Sequence, residues 1–178
     1  AISGGLVGSE MCIRDRAPLA PKEGGMREIV DQFYDAVRTG HVPALEALIA
    51  EDFSLICPGQ NNVLSGVYRG KSRFFDAVLP HVFGCVNPEE ISFCAEHQIV
   101  AEAGEVVVAV AQNDGVALTG NRYDQIYLHI FKIRGGQIVA LIEGFDTALA
   151  NHALWGECEP LIPDEGAALS NMAHFTGA

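Results

Sequence analysis

The apolar positions of the N-terminal half recur with a helical period. From Met26 to Val37 they fall every three or four residues, which predicts an amphipathic helix that ends at Gly40. Pro43 suits the first turn of a second helix, which continues through Ile49.

A third helix is predicted from Lys71 onward, after a short strand at residues 53–57 that ends at Pro58. Its buried face is expected to consist of Phe74, Phe75, Val78, Leu79, Val82 and Phe83.

After Pro88 the pattern changes to strands separated by turns. Gly104, residues 113–115 and residues 134–136 supply the turn chemistry. We predict four strands, at residues 91–101, 105–112, 118–133 and 137–145. Asp146 is predicted to cap a short last helix.

Helices followed by a long meander predict an α+β fold, in which three N-terminal helices pack on a strongly curved antiparallel sheet. Such a sheet closes over the helices as a cone, and the open end of a cone is a natural ligand site. We therefore expect a pocket for a small, largely apolar molecule.

Composition and charge limit the kinds of partner. The 178 residues suit one domain, and the 49% of hydrophobic residues suffice for a core. The formal net charge of −12 disfavours nucleic acid and anionic membrane surfaces, since both attract basic proteins. No apolar run approaches the roughly 18 residues of a membrane span, so we expect a cytoplasmic protein.

The chain is expected to divide into three segments. Residues 1–25 are predicted to be a disordered leader, residues 26–155 the folded domain and residues 156–178 an irregular tail. Residues 6–15 resemble one reading frame of a transposase adapter used to prepare sequencing libraries. We therefore interpret residues 1–16 as an artefact of an environmental or transcriptome assembly, with a native disordered leader as the alternative.

No residue pattern indicates a metal or a cofactor. The cysteines beyond residue 16 form no CxxC motif, and neither they nor the histidines have metal-site spacing, which favours buried, reduced thiols. The chain has no phosphate-binding glycine loop and no dinucleotide fingerprint. We therefore expect a protein without a cofactor.

Several segments resemble SnoaL-like and ketosteroid-isomerase-related proteins of the NTF2-like superfamily. Their opening is similar to residues 33–40, 45–53 and 65–71, and their later strands are similar to residues 120–127, 129–133, 136–138 and 143–147. This resemblance implies a cone-shaped NTF2-like fold and a homodimer that pairs through the sheet. It fixes no reaction, because the fold supports isomerases, cyclases, dehydratases, epoxide hydrolases and binding proteins.

His129 and Glu143 are the candidate catalytic residues. A hairpin folded at Gly135 and Gly136 places residue 129 opposite residue 143 or one step from it. In the related polyketide cyclases, a histidine and an acid at this spacing line the pocket, and the acid transfers a proton next to a carbonyl. The resemblance therefore implies Glu143 as proton carrier and His129 as hydrogen-bond donor or acid.

The chemistry of such a pair is reasonable. Desolvation in an apolar pocket raises the pKa of a carboxyl group and makes it a competent base near neutral pH. An imidazole beside it can stabilise a developing enolate oxygen. The alternative is that His129 and Glu143 form a satisfied polar pair within the sheet, or that Glu143 faces solvent.

Other residues are expected to shape the pocket. Where the ketosteroid isomerases have a first-helix tyrosine, an aspartate base and a protonated aspartate, this chain has Phe33, Cys57 and His129. Steroid-isomerase activity is therefore not expected, and Cys57 is either a pocket thiol or a buried structural residue. The predicted substrate-binding residues are Phe33, Tyr34, Cys57, Tyr127 and Phe131.

Four functions follow from this pattern. The first is a cofactor-free isomerase or cyclase acting on a carbonyl compound, and the second is a non-catalytic small-molecule binding protein. The third is an interaction module that uses the convex face of the sheet for assembly. The fourth is a limonene-type epoxide hydrolase, suggested by Arg122 and Asp124. In those hydrolases, however, the corresponding pair lies on the preceding strand, where this chain has Val110 and Gln112. A solvated ion pair is the alternative for Arg122 and Asp124.

Overall fold

The computed structural model describes residues 25–171, in which four helices pack against one curled six-stranded sheet. The helices are α1 (Met26–Thr39), α2 (Val42–Leu48), α3 (residues 71–83) and α4 (residues 147–155). The strands are β1 (Ile49–Cys57), β2 (Gly66–Arg69), β3 (Val86–Ala103), β4 (Val106–Ala117), β5 (Ile126–Arg134) and β6 (Gln137–Phe145). The predicted leader lies outside the described residues except for Gly25.

The predicted α+β architecture is confirmed, with one difference in strand direction. The strand order is β2-β1-β6-β5-β4-β3. Every neighbouring pair is antiparallel except β1 and β6, which run parallel. The prediction of an entirely antiparallel sheet is wrong at that pair, because the last strand returns to the middle of the sheet beside β1.

The three N-terminal helices begin and end close to the predicted positions. α1 buries Ile29, Val30, Phe33 and Tyr34 against the sheet and ends at Gly40. None of the helices in residues 25–171 is long and apolar enough to cross a membrane.

α3 and α4 each contain a wide, π-helical turn. In α3 this turn spans Phe74–Val78 and is flanked by Lys71–Arg73 and Leu79–Phe83. In α4 it spans Ala150–Trp155, after Thr147–Leu149. Such turns are often found at functional sites.

The predicted boundary between the second and third strands is wrong. β4 continues through the predicted loop at residues 113–115 to Ala117, and residues 118–125 form the connection that was predicted as strand. Gly115 serves close packing rather than a turn, because a Cβ atom there would lie 2.4 Å from the Ile91 backbone. Asn113 lies within β4, where its side chain accepts a hydrogen bond from the Cys94 backbone N–H (2.8 Å).

The core lies mainly between the concave face of the sheet and the helices. A smaller apolar cluster lies on the opposite face, around Ile56, Val67, Ala140 and Ile142. The chain therefore has apolar side chains on both faces of its central strands.

Part of the predicted tail lies along β2. The Val67 N–H donates to the Glu165 carbonyl and the Asp164 N–H donates to the Val67 carbonyl, both at 2.8 Å. The Tyr68 hydroxyl donates to the Leu161 carbonyl at 3.0 Å. These bonds fix the segment after α4 against the sheet.

Asp146 caps α4 as predicted, and its removal should measurably destabilise the protein. Its Oδ1 accepts hydrogen bonds from the N–H groups of Ala148 (2.9 Å) and Leu149 (3.1 Å). We expect Asp146→Ala to lower the free energy of unfolding by about 1 kcal/mol, measured by urea denaturation. Asp146→Asn, which keeps the accepting oxygen, is the control, and equal losses in both variants would contradict the capping role.

Candidate functional site

The hairpin of β5 and β6 brings the two candidate catalytic residues together. Gly135 (φ 59°) and Gly136 (φ 79°) form the two-residue turn, in which both residues need a positive φ. Beyond the turn, Ile133 pairs with Ile138 but Lys132 pairs with Ala140, which leaves a one-residue bulge.

The predicted register is confirmed, because His129 lies directly opposite Glu143. Residues directly opposite on adjacent strands share one face of the sheet. His129 Nε2 lies 3.3 Å from Glu143 Oε2, and the side chains are 2% and 23% exposed respectively.

The pair lies in the wall of a mostly apolar cavity. The cavity lies between the concave face of the sheet and helices α1, α3 and α4, and its volume is about 80 Å³. Phe33, Phe74, Leu141 and Leu154 are among its apolar lining residues. The lining residues that carry polar or thiol groups are Cys94, Tyr123, Tyr127, His129, Glu143 and Trp155.

Tyr34 orients His129 from the side away from Glu143. The Tyr34 hydroxyl lies 2.9 Å from His129 Nδ1, and the two rings are stacked with centroids 5.7 Å apart. Burial, with the charges of Cys94 and Glu143, raises the pKa of Tyr34 far above its usual value, so the phenol keeps its proton.

The retained proton assigns the tautomer of His129. Within residues 25–171 the hydroxyl of Tyr34 has no other hydrogen-bond partner, so it donates to Nδ1. Nδ1 then accepts, and the imidazole proton lies on Nε2, directed at Glu143 Oε2. In this arrangement the imidazole Nε2–H donates a hydrogen bond to Glu143 Oε2.

A second polar network lies in the same wall. The hydroxyls of Tyr123 and Tyr127 are 3.2 Å apart, and the Asn113 side-chain amide donates to Tyr127 at 3.3 Å. Burial raises the pKa of both tyrosines well above the usual value, so both remain neutral hydroxyls. The Tyr127 ring stacks on His129 with centroids 5.2 Å apart.

A family model for the SnoaL-like domain matches residues 30–141, well over half of the 178-residue chain. This chain belongs to the SnoaL-like domain family. The predicted resemblance is thereby confirmed. No curated protein matches the chain significantly.

Solved structures share the fold of this SnoaL-like domain. An NTF2-like protein from Burkholderia xenovorans is 26% identical, with 72% of this chain and 94% of that chain covered and a TM-score of 0.58. A candidate isomerase from Bacillus subtilis is 19% identical (76% and 95% covered, TM-score 0.62). A candidate polyketide cyclase from Pseudomonas putida is 23% identical (68% and 91% covered, TM-score 0.56).

The SnoaL-like cavity contains some of the predicted site residues and excludes others. Phe33, Tyr127, His129 and Glu143 line it. Tyr34 lies behind His129 and contacts the imidazole rather than the cavity.

Cys57 and Phe131 also lie behind the cavity wall. Cys57 is fully buried in the core, where burial raises the pKa of its thiol well above the usual range. Phe131 packs edge-to-face against Phe33 with ring centroids 5.1 Å apart, so it supports a lining residue without lining the cavity itself.

The thiol that does line the cavity is Cys94, which the sequence did not mark. It has a positive φ of 50° at an irregularity of β3 between Ser92 and Glu96. Burial, with the charge of Glu143, raises its pKa, so the thiol stays neutral. No local motif distinguishes it from the other cysteines, because the irregularity depends on pairing with β4.

The residues that suggested an epoxide hydrolase lie elsewhere. Arg122 forms exposed ion pairs with Asp124 (2.6 Å) and Asp114 (2.7 Å). Val110 and Gln112 are more exposed than Ala109 and Ala111 and point to the opposite face of β4. Among residues 25–171, no group of three or more His, Cys, Asp or Glu side chains is arranged to hold a metal ion.

Alkaline pH should destabilise this SnoaL-like domain through its tyrosines. The chain has four tyrosines. Burial raises the pKa of each, that of Tyr68 to about 12. In the unfolded chain their pKa is about 10, so the unfolded state loses the phenolic protons first. The free energy of unfolding should therefore be insensitive to these groups below about pH 9 and fall as pH rises above about 10.

Urea denaturation between pH 8 and 11 measures this slope. Tyrosinate absorbance at 295 nm should appear only as the native circular dichroism signal is lost. Tyr68→Phe should flatten the slope. Tyrosinate formation near pH 10 in a protein with native circular dichroism would contradict the burial of these hydroxyls.

Proposed function

We propose that this SnoaL-like protein is a cofactor-free enzyme of the isomerase or cyclase type. It transfers a proton at a carbon next to a carbonyl group, with Glu143 as proton carrier and His129 as hydrogen-bond donor. The observation that supports this most is the cross-strand pair itself: a carboxylate in the wall of an apolar cavity, facing the N–H of an oriented imidazole.

The two oxygens of Glu143 have different surroundings. Oε2 faces His129 Nε2, whereas Oε1 has no hydrogen-bond partner within residues 25–171. Oε1 is therefore free to accept a proton from a substrate carbon, which gives a carboxylic acid and an enolate. The same carboxylic acid returns the proton to another atom of the substrate.

The neutral donors of the cavity suit a developing enolate. Hydrogen-bond donors fixed in an apolar site stabilise a developing oxyanion more strongly than water does. The names of the candidate isomerase and the candidate polyketide cyclase fit this class of reaction. We infer a cytoplasmic setting from the reduced thiols and acidic composition, as expected from the sequence.

A non-catalytic binding protein is the second candidate. His129 and Glu143 satisfy each other, and Tyr34 completes the network without a ligand. A protein of this kind would bind a small molecule in the cavity and leave it unchanged.

Exchange of α-protons for deuterium tests the choice between these functions. We expect the wild-type protein to catalyse the exchange on small acyclic ketones such as acetone in D₂O, followed by proton NMR. Glu143→Gln should lower the exchange rate roughly 10²- to 10⁴-fold, because it removes the proton acceptor. Its circular dichroism spectrum should remain native.

Glu46→Gln is the matched control, since Glu46 is exposed on α2, away from the cavity lining. It should exchange at the wild-type rate. Ketones that bind but are not exchanged by the wild-type protein would favour the binding function.

We also infer that the protein is a homodimer that pairs through the outer face of the sheet. Ile126 and Leu128 on β5 are 60% and 49% exposed. They lie beside the partly exposed Ile130 and the smaller apolar cluster. An exposed apolar patch of this kind is typical of a protein interface.

Leu128→Arg should convert a dimer into a monomer of 19.0 kDa, measured by light scattering after size-exclusion chromatography. The charge would be buried unpaired at the interface. Leu118→Arg is the control, because Leu118 is 64% exposed in the connection between β4 and β5. A wild-type monomer would contradict the inference.

A further inference from the structure

The indole of Trp155 is a buried donor without an acceptor. Its Nε1 has no hydrogen-bond partner within residues 25–171, although the side chain is only 3% exposed. Trp155 ends the π-helical turn of α4 and lines the same cavity as Glu143. A buried N–H group left unpaired is costly, so its position needs an explanation.

Most other polar groups of the cavity are occupied. His129 uses one nitrogen toward Tyr34 and the other toward Glu143, and the single hydrogen bond between the hydroxyls of Tyr123 and Tyr127 uses one of their two protons. The groups left for a ligand are therefore Glu143 Oε1, the second phenolic proton and Trp155 Nε1, which is the one fully unpaired donor among them. The first accepts, whereas an indole N–H can only donate.

The shape of the cavity limits the ligand further. Its volume of about 80 Å³ is below the roughly 150 Å³ of an engineered cavity that binds benzene. A six-membered ring therefore exceeds this space, and a ligand of a few heavy atoms suits it. The rest of the wall is largely apolar, so a compact hydrocarbon ligand with one hydrogen-bond acceptor matches the cavity.

We propose that Trp155 donates a hydrogen bond from Nε1 to the carbonyl oxygen of a compact ligand that is smaller than a six-membered ring. The bond fixes which end of the ligand lies at α4 and which lies at the sheet. The assignment of Glu143 as proton carrier at the carbon next to this carbonyl rests on the proposed function. The hydrogen bond to Trp155 does not depend on that function.

The single tryptophan of the chain makes the bond directly observable. In a ¹⁵N-labelled sample the indole gives one side-chain cross-peak. Titration with acetone should move its proton signal downfield, as hydrogen bonding does. 2-Methylpropene has the same shape without the oxygen, and it should perturb the peak without the downfield shift.

Affinities provide a second readout. Trp155→Phe keeps an aromatic ring and removes the N–H. It should weaken the affinity for acetone relative to that for 2-methylpropene by roughly tenfold, the loss of one hydrogen bond. If this variant does not fold, the titration of the wild-type protein still decides.

The outcomes separate this inference from the proposed function. Glu143→Gln should keep the downfield shift even though α-proton exchange is lost. A downfield shift with no exchange in the wild-type protein would support the role of Trp155 and contradict the catalytic proposal. Equal shifts with both probes, or no shift with either, would overturn the inference.

Discussion

The site depends on the register between β5 and β6, and that register depends on a single extra residue. Counted from the glycine turn without the bulge, His129 would pair with Ile142, and Glu143 would point to the other face of the sheet. The bulge at Val139 shifts the register by one, so Ile142 joins the outer cluster and Glu143 the cavity. Loss of the bulge would move Glu143 out of the cavity, although His129 and Glu143 would both remain in the chain.

The same register determines the electrostatics of the cavity. Glu143 is the one carboxylate among the described lining residues. Burial, supplemented by the charge of Glu143, raises the pKa of the surrounding groups: Tyr34, Cys57, Cys94, Tyr123 and Tyr127. One carboxylate therefore lies among phenols and thiols that stay protonated at neutral pH.

The features that the sequence predicts correctly are those that depend on local residue pattern. Periodicity, turn chemistry and family resemblance predict the stripe of α1, the span of β6, the cap at Asp146 and the pairing of His129 with Glu143. The misplaced boundary near Gly115 depends on a close approach of β3, which no local pattern contains. For the same reason the sequence points to Cys57 and not to Cys94: the backbone irregularity that brings Cys94 to the cavity arises from pairing with another strand.

The two contacts of His129 differ in a way that suits proton transfer. The contact to Tyr34 is 2.9 Å long, a good hydrogen bond, whereas the one to Glu143 is 3.3 Å. A tight charge-assisted bond would be about 2.7–2.9 Å and would stabilise the ionised carboxylate against accepting a proton. The imidazole is thus hydrogen-bonded more closely to Tyr34 than to Glu143. Catalytic hydrogen bonds are often long without substrate and tighten as the transition state forms. The proposed role of Glu143 is compatible with this asymmetry, since no short charge-assisted bond holds its carboxyl group.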